Sequence, residues 1–270
     1  MNITFIGGGN MATALVGGLL AKGFDPKGVR IVEIQPEARQ RLAAAYGVSC
    51  FAQPAQAAPY GEVVVFAVKP QQLRAAARAV APQLGSELVL SIAAGIRLAD
   101  LGRWLGGHRR LARCMPNTPA LIGMGVTGLY ARPEVDAAQR AQAQQVLETV
   151  SEVIWLADEP LLDPVTAVSG SGPAYVFLFI EALERAAREL GIDATGARAL
   201  AIGTFRGAAE LAARASEPPA VLRERVTSKG GTTERALASL EADRVQEAIV
   251  RAVRAANGRA RELGDELGRD

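Results

Sequence analysis

The fold turns on the opening stretch Asn2-Ile3-Thr4-Phe5-Ile6-Gly7-Gly8-Gly9-Asn10-Met11-Ala12, where a β-prone run meets three glycines and then a helical pattern through Leu15, Leu19 and Leu20. Strand, glycine turn and helix in that order open a dinucleotide-binding unit. Gly7 makes the tight turn, Gly9 lets a pyrophosphate approach the backbone, and Ala12 is small enough for close helix packing; Asn10 and Met11 belong to the same cofactor-binding turn. The competing reading is a purely structural glycine turn.

The next strand, Val29 to Ile34, carries Glu33 near its end, where a carboxylate accepts hydrogen bonds from an adenosine ribose and disfavours a 2′-phosphate. Arg39 and Arg41 on the following helix are within reach of such a phosphate, so the choice between NAD(H) and NADP(H) stays open. The β-branched run Glu62 to Ala67 is that of a central parallel strand buried on both faces. It ends in Val68-Lys69-Pro70-Gln71 before a helix through Leu73, Ala76, Ala77 and Val80. Ligands in such sheets bind beyond the carboxyl ends of the strands, which places Ala67, Val68, Lys69 and Pro70 against the nucleotide; Lys69 also reads as an ordinary exposed strand-end lysine.

A strand over Leu88 to Ile92 leads to Ala93-Ala94-Gly95, small residues beside which a nicotinamide ring can lie. In Met115-Pro116-Asn117-Thr118-Pro119 two prolines bracket Asn117 and Thr118 and fix an extended turn. Asn117 reads as a residue near the nicotinamide and substrate, as an Asx turn holding its own backbone, or as both at once. Val126 to Tyr130 and Glu152 to Leu156 complete the sheet around a helix over Asp136 to Val150.

From about Leu161 no further strand is evident. The pattern is α/β: an N-terminal Rossmann-type dinucleotide-binding domain over residues 1–160, followed by an all-helical domain over 161–270. Ala167 to Tyr175 opens a helix apolar almost all round through Ile180. The helix Thr195 to Ala213 lines up Ala199, Gly203 and Gly207, a smooth stripe along which another helix can approach. A helical segment of this kind cannot bury such surfaces alone, so two protomers are expected to interleave as a homodimer or higher homo-oligomer.

In the helical half, Val226-Thr227-Ser228-Lys229-Gly230-Gly231-Thr232-Thr233 reads as a cradle for a small anion. The glycines remove obstructing Cβ atoms so that successive N–H groups can converge on a carboxylate, hydroxyls stand nearby, and a helix from Glu234 to Leu240 points its positive end at the same place. A flexible turn between helices is the plain alternative.

The run from Pro219 through Val226-Thr227-Ser228, Gly230-Gly231, Thr233, Ala236-Leu237 and Leu240-Glu241 resembles the signature of the pyrroline-5-carboxylate reductase family, and three further segments are similar to it. These are Ala67-Val68-Lys69-Pro70, Arg113-x-Met115-Pro116-Asn117-Thr118-Pro119 and Ser169-Gly170-Ser171-Gly172-Pro173-Ala174-Tyr175. The resemblance implies NAD(P)H-dependent reduction of the C=N bond of Δ1-pyrroline-5-carboxylate to L-proline by a dimer. It implies that Ser171 and Gly172 line the floor of the site, and that Ser228, Gly230, Gly231, Thr232 and Thr233 hold substrate, with Thr233 hydrogen-bonded to the ring nitrogen as the catalytic positioner. Two departures stand out: Lys229 replaces the family's usual Pro, and no Asn precedes the strand at Glu62, where Gln53-Pro54 is found. A β-hydroxyacid or imine dehydrogenase of similar layout is a rival reading, although the one lysine of the helical half is Lys229, on a loop. A non-catalytic nucleotide sensor is another.

Bulk properties narrow the field. With 270 residues, 49% apolar, and 30 basic against 28 acidic side chains, the chain can bury a real core and shows no nucleic-acid footprint. The partner is expected to be a small molecule. Cys50 and Cys114 read as buried thiols, and His108 is the sole histidine, so metal clusters and His-based proton shuttles are not expected. The longest apolar run, Ala174 to Ile180, is short of a membrane span, and a cytoplasmic protein is expected.

Overall fold

The computed structural model describes residues 1–269. Eight strands form one sheet: β1 (Ile3–Ile6), β2 (Val29–Val32), β3 (Ser49–Phe51), β4 (Val63–Phe66), β5 (Leu88–Ser91), β6 (Leu111–Met115), β7 (Gly125–Ala131) and β8 (Ser151–Trp155). Their order is β3-β2-β1-β4-β5-β6-β7-β8, and every neighbouring pair is parallel except β6 with β7. β1 is the hinge of this order: Ile3 pairs with Val29 on one side and Val63 on the other. The chain therefore winds outward one way through β2 and β3, then returns to wind the other way from β4, and a crevice opens where the direction reverses.

Helices α1 (Asn10–Ala21), α2 (Pro36–Tyr46), α3 (Pro54–Ala57), α4 (Pro70–Val80), α5 (Leu98–Trp104) and α6 (Ala137–Leu147) cover the sheet. Alternate residues of the central strands feed two cores. Phe5, Ile31 and Val65 meet Leu15 and Leu19 of α1 and Val146 of α6 on one face. Ile6, Val64 and Phe66 meet Leu73 and Ala77 of α4 and Leu101 of α5 on the other. This double burial is why Val63-Val64-Val65-Phe66 carries no alternation, each side chain contributing roughly 1.5–3 kcal/mol. Pro36 and Pro70 open α2 and α4, where the missing N–H costs nothing, and Gly47 ends α2 in the left-handed region at φ 67°. Cys50 lies on β3 and Cys114 on β6, five strand positions apart, so the two thiols are far beyond bonding reach.

Beyond β8 the described chain is helical: α7 (Leu162–Val165), α8 (Gly172–Glu189), α9 (Ala194–Arg214), α10 (Pro219–Arg225), α11 (Thr232–Ala242) and α12 (Val245–Leu267). By packing, one compact unit comprises residues 1–171 with 256–270, and a second comprises 172–255. The division at 160/161 drawn from element type follows the last strand. Packing instead assigns the end of α12 to the sheet unit, because Asp265 pairs with Arg97 at 2.6 Å and the Arg97 guanidinium lies across Gly264.

In the second unit Ala197 and Ala201 are the only buried residues, while Phe177 and Leu178 on α8 are 60% and 64% exposed. α9 packs on α8 in part through Phe205, whose ring lies 6.3 Å from that of Phe179. The space over Gly203 and Gly207 is empty within the protomer, so the smooth stripe is left uncovered. An 84-residue unit with this little interior cannot offset its chain entropy alone.

Candidate active site

A cleft of about 620 Å³ opens at the carboxyl ends of β1, β2 and β4, where the strand order reverses. It brings together six residues expected from the sequence: Gly7, Gly9, Glu33, Ala67, Val68 and Lys69. At φ 104°, Gly7 occupies a conformation that side chains disfavour, and a Cβ there would stand 2.8 Å from the Ala67 carbonyl oxygen. The Cβ side of Gly9 is open. Gly9 also caps α1 without a side-chain hydrogen bond, which leaves the first-turn N–H groups of Asn10, Met11 and Ala12 with no preceding carbonyl to bond. Open space in front of unpaired donors at a positive helix end fits a pyrophosphate. Ala12 is buried in the core, as close packing of α1 requires. Pro70 is the first residue of α4, next to Lys69. Gln35, Gln72 and Pro54 also line the cleft. Their only sequence signal was adjacency to strand ends and to the Lys69 turn.

Glu33 follows β2 directly. Its Oε2 accepts the Gly8 N–H and its Oε1 the Gln35 N–H, both at 2.9 Å. Arg39 is turned back: its Nη1 donates to the carbonyls of Glu33 at 2.7 Å and Ile34 at 2.9 Å.

Ala93, Ala94 and Asn117 follow β5 and β6 at the same sheet edge but do not line the cleft. Here two expectations are corrected. Ala93 is 3% exposed and belongs to the core, and the space beside Gly95 is filled by Leu263 and Leu267 of α12, so Ala94 alone offers surface. Asn117 closes no Asx turn on its own strand. Its Oδ1 accepts the Val126 N–H at 2.9 Å while its Nδ2 donates to Ser169, 3.3 Å to the carbonyl oxygen and 3.2 Å to Oγ. The extended turn also ends early, because Thr118–Ile122 forms a 3-10 helix with Pro119 in its first turn.

Ser169 lies in a π-helical turn, Thr166–Gly170, closed by the Ser171 N–H on the Thr166 carbonyl at 2.8 Å. Met115 fills the side of Gly170 that a Cβ would occupy. Ser171 ends the first unit and Gly172 begins the second.

In the second unit, Ser228, Gly230, Gly231, Thr232 and Thr233 join α10 to α11. The glycine N–H groups do not converge outward as expected: that of Gly230 is held by Glu234 Oε2 at 2.7 Å, and that of Gly231 by the Ser228 carbonyl at 3.0 Å. Gly230 sits at φ 72°, and a Cβ on Gly231 would strike the Ser228 hydroxyl, so both must be glycine for the bend itself. Gly231 caps α11 without a side chain. The donors left for an anion are therefore the first-turn N–H groups of Thr232, Thr233 and Glu234, joined by the Thr232 and Thr233 hydroxyls.

His108 lies away from the cleft. It precedes β6 and its Nε2 lies 3.0 Å from the Glu87 carbonyl oxygen ahead of β5, at the amino-terminal edge of the sheet. Burial pushes its pKa below the ordinary value. A partly buried ion pair was missed from the sequence: Arg113 on β6 meets Glu159 at 3.2 Å, and the same Glu159 oxygen accepts the Leu98 N–H at 2.7 Å.

A glycine-turn cleft at the switch point of a doubly wound sheet, with an oxygen- and amide-rich helix start on a helical companion unit, defines a dinucleotide-dependent oxidoreductase. The family model for NADP oxidoreductase, coenzyme F420-dependent, matches residues 2–95, and that for pyrroline-5-carboxylate reductase dimerisation matches residues 159–263. A pyrroline-5-carboxylate reductase of Pseudomonas aeruginosa is 45% identical over 98% of both chains. Among solved structures, the pyrroline-5-carboxylate reductase of Coxiella burnetii superposes with a TM-score of 0.91 at 39% identity, covering 97% of this chain and 98% of its own. The Plasmodium falciparum enzyme, solved with NADP bound, gives 0.87 at 26% identity over 98% of each. The chain belongs to the pyrroline-5-carboxylate reductase family.

Proposed function

We propose that this chain reduces Δ1-pyrroline-5-carboxylate to L-proline: the ring C=N carbon gains a hydride, the ring nitrogen gains a proton, and NAD(P)H becomes NAD(P)+. When bound, the reduced nicotinamide supplies the hydride. The chain's own part is placement. The Gly7–Ala12 turn holds the pyrophosphate, with Val68 and Lys69 beside it and Pro70 opening the helix that follows them, and Ala94 stands beside the nicotinamide. Asn117 acts as a positioning residue that ties its loop to Ser169. The first-turn amides of α11, with Ser228 and Thr232, hold the substrate carboxylate, and Ser171 and Gly172 floor the site. The Thr233 hydroxyl hydrogen-bonds the ring nitrogen. An imine protonates far more readily than a ketone, so positioning supplies much of the rate without a strong general acid.

The observation that carries this reading is the pair of side-chain-free helix starts, Gly9 before α1 and Gly231 before α11, one suited to a pyrophosphate and one to a carboxylate. Dinucleotide oxidation that requires pyrroline-5-carboxylate, with proline as product, tests it. Oxidation that is independent of that imine, or absent with it, overturns it.

The working unit is a homodimer or larger homo-oligomer, since α8 and α9 expose apolar faces that a second copy would cover. The helical stretch 159–189 is long and apolar enough to cross a membrane by length and composition, its most apolar 18-residue window having a mean hydropathy of 1.2. It also carries Glu181, Glu184, Arg185, Arg188 and Glu189, and a subunit interface accounts for its apolar side. We read the protein as cytoplasmic, acting on a small molecule and not on nucleic acid. Sedimentation as a monomer at micromolar concentration would overturn the assembly.

A further inference from the structure

We propose that Glu33 makes this chain selective for NADH over NADPH. The proposal rests on the dinucleotide reading of the cleft and adds which dinucleotide it takes. From the sequence alone the choice is open, because Glu33 argues one way and Arg39 and Arg41 the other; the structure shifts it toward Glu33.

Glu33 lines the cleft at the end of β2, and both of its oxygens are tied to backbone, Oε2 to Gly8 N and Oε1 to Gln35 N. The carboxylate is thus fixed beside the phosphate-binding turn. A carboxylate oxygen has capacity beyond one hydrogen bond, so each can still accept from a ribose hydroxyl. A 2′-phosphate brought to the same place meets a negative charge that is hard to move aside. On the Gly8 side its Oε2 lies 3.2 Å and its Cβ 3.3 Å from where a Gly8 Cβ would stand, with Leu42 closing the same space.

Among the described residues lining the cleft the one cation is Lys69, which follows β4 on the far wall. Arg39, the residue placed to read a 2′-phosphate, spends its Nη1 on the carbonyls of Glu33 and Ile34. Those bonds hold the very loop that presents the carboxylate. Arg41 is exposed on α2 and does not line the cleft.

Direct calorimetric titration of the whole protein with NADH and NADPH, without substrate, tests the assignment, with AMP and adenosine 2′,5′-bisphosphate as shorter probes. NADH is expected to bind at least about tenfold more tightly than NADPH, and AMP more tightly than the bisphosphate. Glu33→Gln keeps an oxygen to accept from Gly8 and removes the charge. It should draw the two dinucleotides to within roughly threefold, chiefly by tighter NADPH binding. Arg39→Ala should weaken both by similar factors. Equal or tighter NADPH binding by the wild type, an unchanged ratio in Glu33→Gln, or a loss confined to NADPH in Arg39→Ala would each overturn the selectivity and leave the dinucleotide site standing. Binding of neither dinucleotide would remove both.

Discussion

Asn117 Oδ1 accepts the Val126 N–H at 2.9 Å, so a segment bracketed by two prolines is fastened to the start of β7, the strand that runs antiparallel to β6. With its Nδ2 on Ser169, the amide ties the loop after β6 to the π-helical turn that leads to Ser171. Asn117→Ala leaves Val126 N–H and Ser169 without their partner and should cost about 1–3 kcal/mol in urea unfolding. Asn117→Asp keeps the acceptor and loses both donors, so its cost should be smaller. A full cost in Asp as well would place the main contribution on Ser169 instead of Val126.

Thr233→Val removes one hydroxyl at the start of α11 and keeps the shape. On the proposed placement kcat should fall roughly 100-fold, while the dinucleotide dissociation constant measured by titration stays within about twofold. Equal losses in both would move Thr233 from the substrate to the fold.

Glu159 is a joint: one of its oxygens meets both the guanidinium of Arg113, whose side chain is 5% exposed, and the backbone N–H that begins α5. Glu159→Ala strands a buried cation and should cost about 3 kcal/mol or more, read as a lower unfolding midpoint. The double variant with Arg113→Met removes the stranded charge and should recover part of that loss. No recovery would mean that the Leu98 N–H is the partner that matters.

His108 is held neutral by burial, with a folded pKa below the ordinary 6.5 of the unfolded chain. The unfolded state therefore binds more protons as pH falls through 6.5, and stability declines from there down to the folded pKa, after which this contribution is constant. His108→Gln should flatten that decline in unfolding curves between pH 7 and 5. It should leave turnover at neutral pH intact, because the ring sits at the opposite sheet edge from the cleft. A large loss of kcat at pH 7 would contradict that placement.

The order of elements was readable along the chain because its determinants are local. Glycines 7 to 9 after a β-run, the unbroken apolar strand at Val63 and the proline at the head of α4 each declare their conformation within a few residues. The three-residue edge strand β3 and the short helix α5 carry no such periodicity. They exist because Ser49–Phe51 finds β2 to pair with and Leu98, Leu101 and Trp104 find the core.

By itself, then, the amino-acid sequence determined a nucleotide turn, a run of strands that gives way to helices, and a family whose motifs are contiguous. Which polar groups are already spoken for was decided only by the tertiary structure. Gly230 N–H belongs to Glu234, the Asn117 amide to Val126 and Ser169, the hollow at Gly95 to α12, and the reach of Arg39 to two carbonyls. The physical reason is that a hydrogen-bonding group or a void is claimed by whatever the fold brings within about 3 Å, and claimants such as Ser169 for Asn117 and α12 for the hollow at Gly95 lie far away in the chain.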